Sequence, residues 1–139
     1  MAYSRKKSRE IVFRLLFKLS YDRAATQENC LIDGEDLAAV CDNDELPVGP
    51  ELEYIEMVYK AVIENLSEID KIITEHAKGF SFDRIFKTDL TALRMGIAEV
   101  KYTDVPAVVA VNAAVEIAKK YGTEKSGGFV NGILAEVIK

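Results

Sequence analysis

Apolar residues recur at helical spacing along almost the whole chain. Between about residues 5 and 21 they stand three or four positions apart, which places them on one face of a helix. The same spacing returns in later windows. The pattern therefore predicts an all-α protein of about seven helices, near residues 5–21, 34–41, 50–66, 67–79, 87–102, 106–121 and from 123 or 126 onward.

Proline, glycine and capping residues mark the predicted helix ends. Pro50 suits the first turn of the third helix, where its missing N–H costs nothing. Ser67 with Asp70 resembles a capping box and indicates the start of the fourth helix. Gly79 and Gly122 are expected to end the fourth and sixth helices.

The sixth helix is apolar nearly all round, and this pattern predicts a central, buried position for it. The aromatic-rich segment 80–86 is expected to be a turn that inserts its rings into the core. We place a break near residue 80, which divides the single expected domain, 1–139, into sub-bundles of about 1–79 and 80–139.

The chain has 139 residues, 49% of them hydrophobic and 29% charged, which is typical of a globular domain in water. Its apolar runs are too short to span a bilayer, and Arg14 and Lys18 interrupt the first of them, so we expect a cytoplasmic protein. Cys30, Cys41 and His76 are too few and too scattered for a zinc site. We expect reduced thiols and no cofactor or metal.

Charge is distributed unevenly along the chain. Residues 1–23 contain seven basic and two acidic side chains, whereas residues 24–56 contain ten acidic and no basic ones. The remainder has eleven of each, which gives the net charge of −5. A cationic end on an acidic protein favours a polyanionic partner, and nucleic acid is the first candidate.

The basic tip, defined as Arg5, Lys6, Lys7 and Arg9, opens the first helix. Arg5 and Arg9 are one turn apart and share a face. Cations at a helix N-terminus oppose the helix dipole, so an unfavourable local choice suggests an external anion. A frayed, solvated helix start is the structural alternative.

One aromatic residue is a candidate for contact with an unpaired base. Phe129 follows two glycines near the start of the last helix, and it either stacks on a base or packs in the core. His76 has no nucleophile in a recognisable motif, and the glycine-rich patterns of phosphate loops are absent. The sequence thus contains no recognisable catalytic set.

Several segments together resemble the NusB transcription antitermination family. The resemblance begins with the arginine-rich opening helix, residues 4–17, and its longest part is C-terminal. It is carried there by residues 93–100, 104–106, 110–119, 121–124 and 129–134.

This resemblance implies an all-helical fold of two sub-bundles and an RNA-binding role, so we expect a protein that is not an enzyme. Family members bind the boxA element of ribosomal RNA transcripts together with the ribosomal protein NusE, and they act on elongating RNA polymerase. By position, Phe17 and Asp89 would contact NusE, and a monomer or weak homodimer is expected. The residues expected to touch RNA are Arg5, Lys6, Lys7, Arg9, Lys125 and Phe129.

The chain departs from the family pattern next to its expected RNA contacts. Lys125 stands where the family often has Asp, and Gly128 stands where it often has a basic residue. Ala98 and Ala113 replace a common Tyr and Glu. Gly128 removes one expected phosphate contact, and Lys125 restores a cation nearby.

Two other functions remain open at the level of sequence. The same helical domain occurs fused to RNA cytosine methyltransferases as an accessory RNA-binding module. The chain would otherwise be a helical protein-interaction module whose charges serve only solubility.

Overall fold

The computed structural model describes residues 4–20, 32, 34–41 and 45–139, and over these residues the protein is all-helical. Seven α-helices are present in the described residues, joined in one place by a short 3₁₀ turn, Phe82–Arg84. The α-helices are α1 (Arg5–Leu19), α2 (Gly34–Val40), α3 (Gly49–Glu64), α4 (Leu66–His76), α5 (Lys87–Tyr102), α6 (Ala107–Tyr121) and α7 (Ser126–Val137).

Helix α5 lies at the centre of the molecule and packs against α1, α3, α4, α6 and α7. Residues 89–99 of this helix are buried without interruption. The prediction that the sixth helix is central was wrong, because α6 exposes Val108 and Val109 together with its polar residues. Its many valines and alanines mark close packing on one side rather than burial on all sides.

Charged side chains inside α5 are compensated by distant residues. Arg94 donates from Nε and Nη2 to the two carboxylate oxygens of Asp70 on α4, both at 2.9 Å. Glu99 accepts from Arg9 on α1 at 3.0 Å. These paired charges let a helix of mixed composition occupy the core, since a buried charge without a partner is costly.

Most predicted helix ends are close to those of the structure. Pro50 lies in the first turn of α3, and Gly79 has φ +86°, a conformation in which glycine is favoured. Helices α3 and α4 are separated by Asn65 alone, so Ser67 lies inside α4 and caps nothing. Asp70 forms the ion pair with Arg94 instead of completing a capping box.

The segment 80–86 inserts less of itself into the core than we expected. Ile85 is buried and Phe82 packs against the core, but Phe80 is 54% exposed and Phe86 is 61% exposed. The prediction that all the rings are inserted was therefore wrong for these two. Two large apolar side chains remain at the surface, where they are available to a partner.

Three helices meet closely at Gly96 of α5. A Cβ atom placed there would lie 2.9 Å from Cδ1 of Leu134 on α7 and 3.2 Å from Cβ of Ala114 on α6. The absence of a side chain allows the backbones to approach.

One hydrophobic cluster includes residues from α1 to α7, on both sides of residue 80. The division into two sub-bundles stays a prediction. Cys41 is a half-buried free thiol, and Cys30 lies outside the described residues. No helix among the described residues is long and apolar enough to cross a membrane. The same residues contain no group of three or more Asp, Glu, His or Cys side chains that could hold a metal ion.

Candidate nucleic-acid interface

The basic tip begins where Ser4 caps α1. The Ser4 Oγ accepts a hydrogen bond from the backbone N–H of Lys7 at 3.1 Å, which satisfies one of the unpaired donors at the helix start. Arg5 and Lys6 are exposed and Lys7 is half-exposed. The cap fixes the direction in which these side chains leave the helix.

Arg5 is held by α3. Its Nε donates to Oε1 of Glu51 at 3.0 Å and its Nη2 donates to Oε2 at 3.2 Å. The guanidinium lies 4.0 Å from the centre of the Tyr54 ring, within cation–π distance. Arg5 is thus exposed but ordered.

Arg9 points inward rather than toward solvent. Its Nε and Nη2 donate to the Glu99 carboxylate, and the Arg9 side chain is only 10% exposed. Burial by itself would lower the pKa of Arg9, but the hydrogen bonds and charge of Glu99 outweigh burial and raise it. The expectation that Arg9 shares the outward face of Arg5 is therefore corrected, because its charge is neutralised inside the protein.

A groove of about 370 Å³ separates the start of α1 from α6, with Lys6 on one wall and Lys120 on the other. Lys120 Nζ donates to Oε1 of Glu10 at 2.6 Å, and the Tyr121 hydroxyl donates to the same oxygen at 3.0 Å. Burial opposes ionisation of Glu10, but these two donors prevail and lower its pKa. The basic tip therefore continues onto the C-terminal turn of α6.

The cationic surface extends further, toward α7. The Lys119 side chain lies over Gly127, where a Cβ would be 2.9 Å from Lys119 Cγ. Lys125 is exposed, and its carbonyl accepts from the N–H of Phe129 one turn later. Gly128 is exposed with open space around its Cα. The structure thus connects the basic tip to Lys125 through lysines of α6.

An aromatic pair lies at the end of this surface. Phe129 is half-buried. Its ring and that of Phe80 meet edge to face, with 5.3 Å between the ring centroids. Phe129 packs against the core and also borders the exposed ring of Phe80, and its stacking on a base stays a prediction. We call Lys6, Lys119, Lys120, Lys125, Phe80 and Phe129 the cationic–aromatic face.

Phe17 lies on another surface. It stacks on Phe13 at 6.0 Å and lines a groove of about 520 Å³ together with Phe86, Thr88 and Tyr121. We call the two rings Phe17 and Phe86 the apolar surface. It offers aromatic area suited to a protein partner.

Asp89 is not on that surface, although we expected it to contact a partner directly. It is 4% exposed, and its Oδ1 accepts no hydrogen bond from the part of the chain that the structure describes. Burial raises the pKa of Asp89, and a hydrogen bond from the Ser126 side chain opposes the rise. A lysine substituted here would be buried, so it would test folding rather than binding.

Sequence reasoning missed Lys119, Lys120, Phe80 and Phe86. The two lysines lie in the last turn of α6, where cations favour the helix dipole, so their presence needed no binding role to explain it. The two phenylalanines read as core residues because of their type. Their short segment lacks a periodic pattern that would have shown which rings face outward.

The fold and the surface define an all-helical protein with an exposed cationic–aromatic face. The comparisons define the particular family, because the family model described as NusB family matches residues 6–139. The chain belongs to the NusB family.

Similar proteins agree over nearly the full length. The chain is 39% identical over 138 residues to transcription antitermination protein NusB of Agathobacter rectalis, covering 96% of this chain and 98% of that protein. It is 41% identical to the protein of the same name from Acetivibrio thermocellus, covering 97% and 88%.

Solved structures share the fold. T. maritima NusB superposes with a TM-score of 0.81 at 32% identity, covering 99% of this chain and 92% of that one. A structure of antitermination factors NusB and NusE in complex with double-stranded RNA gives a TM-score of 0.78 at 28% identity, covering 96% and 94%.

Proposed function

We propose that this protein is a non-enzymatic transcription antitermination factor that binds RNA together with NusE. Its relatives are named as antitermination proteins, and a chain of the same fold occurs in a complex of NusB, NusE and RNA. The RNA is a boxA-like single strand of a ribosomal RNA transcript, and the complex acts on elongating RNA polymerase. As a bacterial transcription factor would, it works in the cytoplasm.

The observation that carries the proposal is the cationic–aromatic face. Lys6 and Lys120 line one groove, Lys119 lies over the start of α7, and Lys125 precedes Phe129 by one turn. Lysines along a groove neutralise successive phosphates, and their binding is tolerant of base sequence. The Phe80–Phe129 pair offers a ring on which an unpaired base stacks.

Residues of the basic tip divide into two roles. Arg5, Lys6 and Lys7 contact phosphates, because their side chains start from the exposed end of α1. Arg9 supports them from beneath by tying α1 to α5 through Glu99. Lys125 supplies a cation beside Gly128, where the family often has a basic residue.

NusE binds the apolar surface. Phe86 is the more exposed of the two rings and Phe17 is backed by Phe13, so the pair resembles an anchor with a rigid base. Asp89 contributes indirectly, since it is buried and follows Thr88, which lines the same groove as Phe17 and Phe86.

Titration of fluorescently labelled boxA-like single-stranded RNA at several salt concentrations, with and without NusE, tests the proposal. The Lys6→Ala/Lys119→Ala variant should weaken binding and reduce the slope of log K against log salt by about 1.4, since each phosphate on a single strand contributes about 0.7. Phe80→Ala should weaken binding by about 1–3 kcal/mol and leave the slope unchanged.

A matched control replaces two exposed lysines outside the face, Lys60→Ala/Lys71→Ala. This variant changes net charge equally but should keep the wild-type slope. An equal loss of slope in both double variants would show that charge acts without a defined face. If NusE does not tighten RNA binding by the wild-type protein, the assignment as its partner is wrong.

A further inference from the structure

Arg5 is exposed at the basic tip, yet it is the member whose guanidinium is held from two sides by α3. Glu51 takes the Nε and Nη2 donors, at 3.0 and 3.2 Å. Tyr54 supports the guanidinium from its ring face at 4.0 Å. A guanidinium has five N–H donors, so those of Nη1 are not used by Glu51.

Glu51 is itself fixed. The fully buried Ser8 donates from Oγ to Oε1 of Glu51 at 2.7 Å. The Glu51 side chain is 21% exposed, against 43% for that of Arg5. The hydrogen bond from Arg5 is the largest cause that lowers the pKa of Glu51, so the carboxylate is charged at neutral pH.

An arginine side chain that is free in solution loses rotamer entropy when it binds a phosphate. At Arg5 this ordering has already occurred in the protein, because the carboxylate and the ring hold the guanidinium in one orientation. Preorganisation of this kind increases affinity by reducing the ordering cost of binding.

We propose that Glu51 and Tyr54 are positioning residues, which hold Arg5 so that its Nη1 donors face an RNA phosphate. This rests on the proposed RNA-binding function. Glu51 acts through Arg5 and does not touch RNA. The contrasting possibility is that Glu51 competes with phosphate for Arg5, and the two ideas predict opposite effects of removing the carboxylate.

A double-mutant cycle tests the proposal, with the dissociation constant of labelled single-stranded RNA measured for wild type, Arg5→Ala, Glu51→Ala and the double variant. Glu51→Ala should weaken binding about threefold to tenfold when Arg5 is present, and it should have no effect in the Arg5→Ala background. Glu51→Gln keeps an acceptor for Arg5 and should fall between wild type and Glu51→Ala.

Glu53→Ala is the matched control, since Glu53 is an exposed glutamate two residues further along α3. It removes the same charge but should not weaken binding. Thermal melts check that each variant retains its fold. If Glu51→Ala binds RNA as tightly as Glu53→Ala, or more tightly, the positioning role is overturned.

The cycle also separates this inference from the proposed function. If Lys6→Ala/Lys119→Ala reduces the salt slope but Glu51→Ala has no effect, RNA binding stands and the positioning role fails. An Arg5→Ala variant with wild-type affinity would likewise overturn the positioning role. If the wild-type protein shows no salt-dependent RNA binding, the proposed function itself fails.

Discussion

Asp89 differs from the other buried charges of this protein in its surroundings. Arg94 forms two hydrogen bonds with Asp70, and Glu99 is paired with Arg9. The Ser126 side chain opposes the rise in the pKa of Asp89, but Oδ1 of Asp89 has no donor among the described residues. A buried carboxylate in this position loses hydration that it does not fully regain.

Substitution of Asp89 by Asn should therefore alter how stability depends on pH. Because burial raises the pKa of Asp89 in the folded state, the wild type loses stability as pH rises from the unfolded pKa, about 3.9, through the folded pKa. Asp89→Asn avoids this loss because it carries no charge at any of these pH values, and it keeps the size of the side chain. We expect its stability relative to wild type to increase from pH 4 toward pH 7, as measured by urea unfolding.

The control for this comparison is Glu53→Gln, an exposed carboxylate on α3. Its stability relative to wild type should change little over the same pH range. A stability of Asp89→Asn that falls relative to wild type toward neutral pH would show that the charged carboxylate stabilises the fold.

At the scale of the elements, α5 decides how the other helices are arranged. Residues 89–99 are buried on all sides of this helix, and Gly96 sets the distance at which α6 and α7 cross it. The space at this position is filled by Leu134 and Ala114, so the three helices pack without a gap.

Gly96→Leu should destabilise the protein by about 1–3 kcal/mol, because a branched side chain must displace Leu134 or separate α5 from α6. Chemical denaturation measures the change. Gly132→Leu is the matched control on α7, where a Cβ meets nothing within 4 Å and the higher helix propensity of leucine is expected to be neutral or favourable. Equal stability of both variants would contradict the close crossing at Gly96.

At the scale of the whole molecule, the cationic–aromatic face and the apolar surface each contain an exposed phenylalanine from the segment 80–86. Phe80 belongs to the first and contacts Phe129, whereas Phe86 belongs to the second and shares a groove with Phe17. The short segment 80–86, between α4 and α5, thus places one ring on each surface.

Substitution of each ring by alanine should separate the two binding functions. Phe86→Ala should weaken NusE binding, measured by calorimetry, by at least 1 kcal/mol and leave RNA affinity of the protein alone unchanged. Phe80→Ala should do the reverse. Both side chains are more than half exposed, so the fold should be retained. Loss of both activities in either variant would mean that the two surfaces are coupled or that the connection has collapsed.

Helix positions were determined by the sequence alone, because local forces set them. The spacing of apolar residues predicted α5 at the bounds that the structure has, and Pro50 marked the start of α3. Gly79 lies three residues beyond His76, the last residue of α4, so it marked that end only approximately. The family resemblance, confirmed by the match to the family, came from short runs of consecutive residues. Periodicity, proline and glycine act within a few residues of themselves, so a linear pattern contains them.

Tertiary structure alone decided which helix is central and which charges face outward. Arg9 was expected at the surface, but its partner Glu99 is 90 residues away in sequence. The charged residues Arg94 and Glu99 made α5 look like a surface helix in the sequence. In the structure, Asp70 pairs with the first and Arg9 with the second, so the helix can be buried. Compensation of a buried charge depends on which groups meet in space, and a one-dimensional pattern of polar and apolar residues does not contain that information.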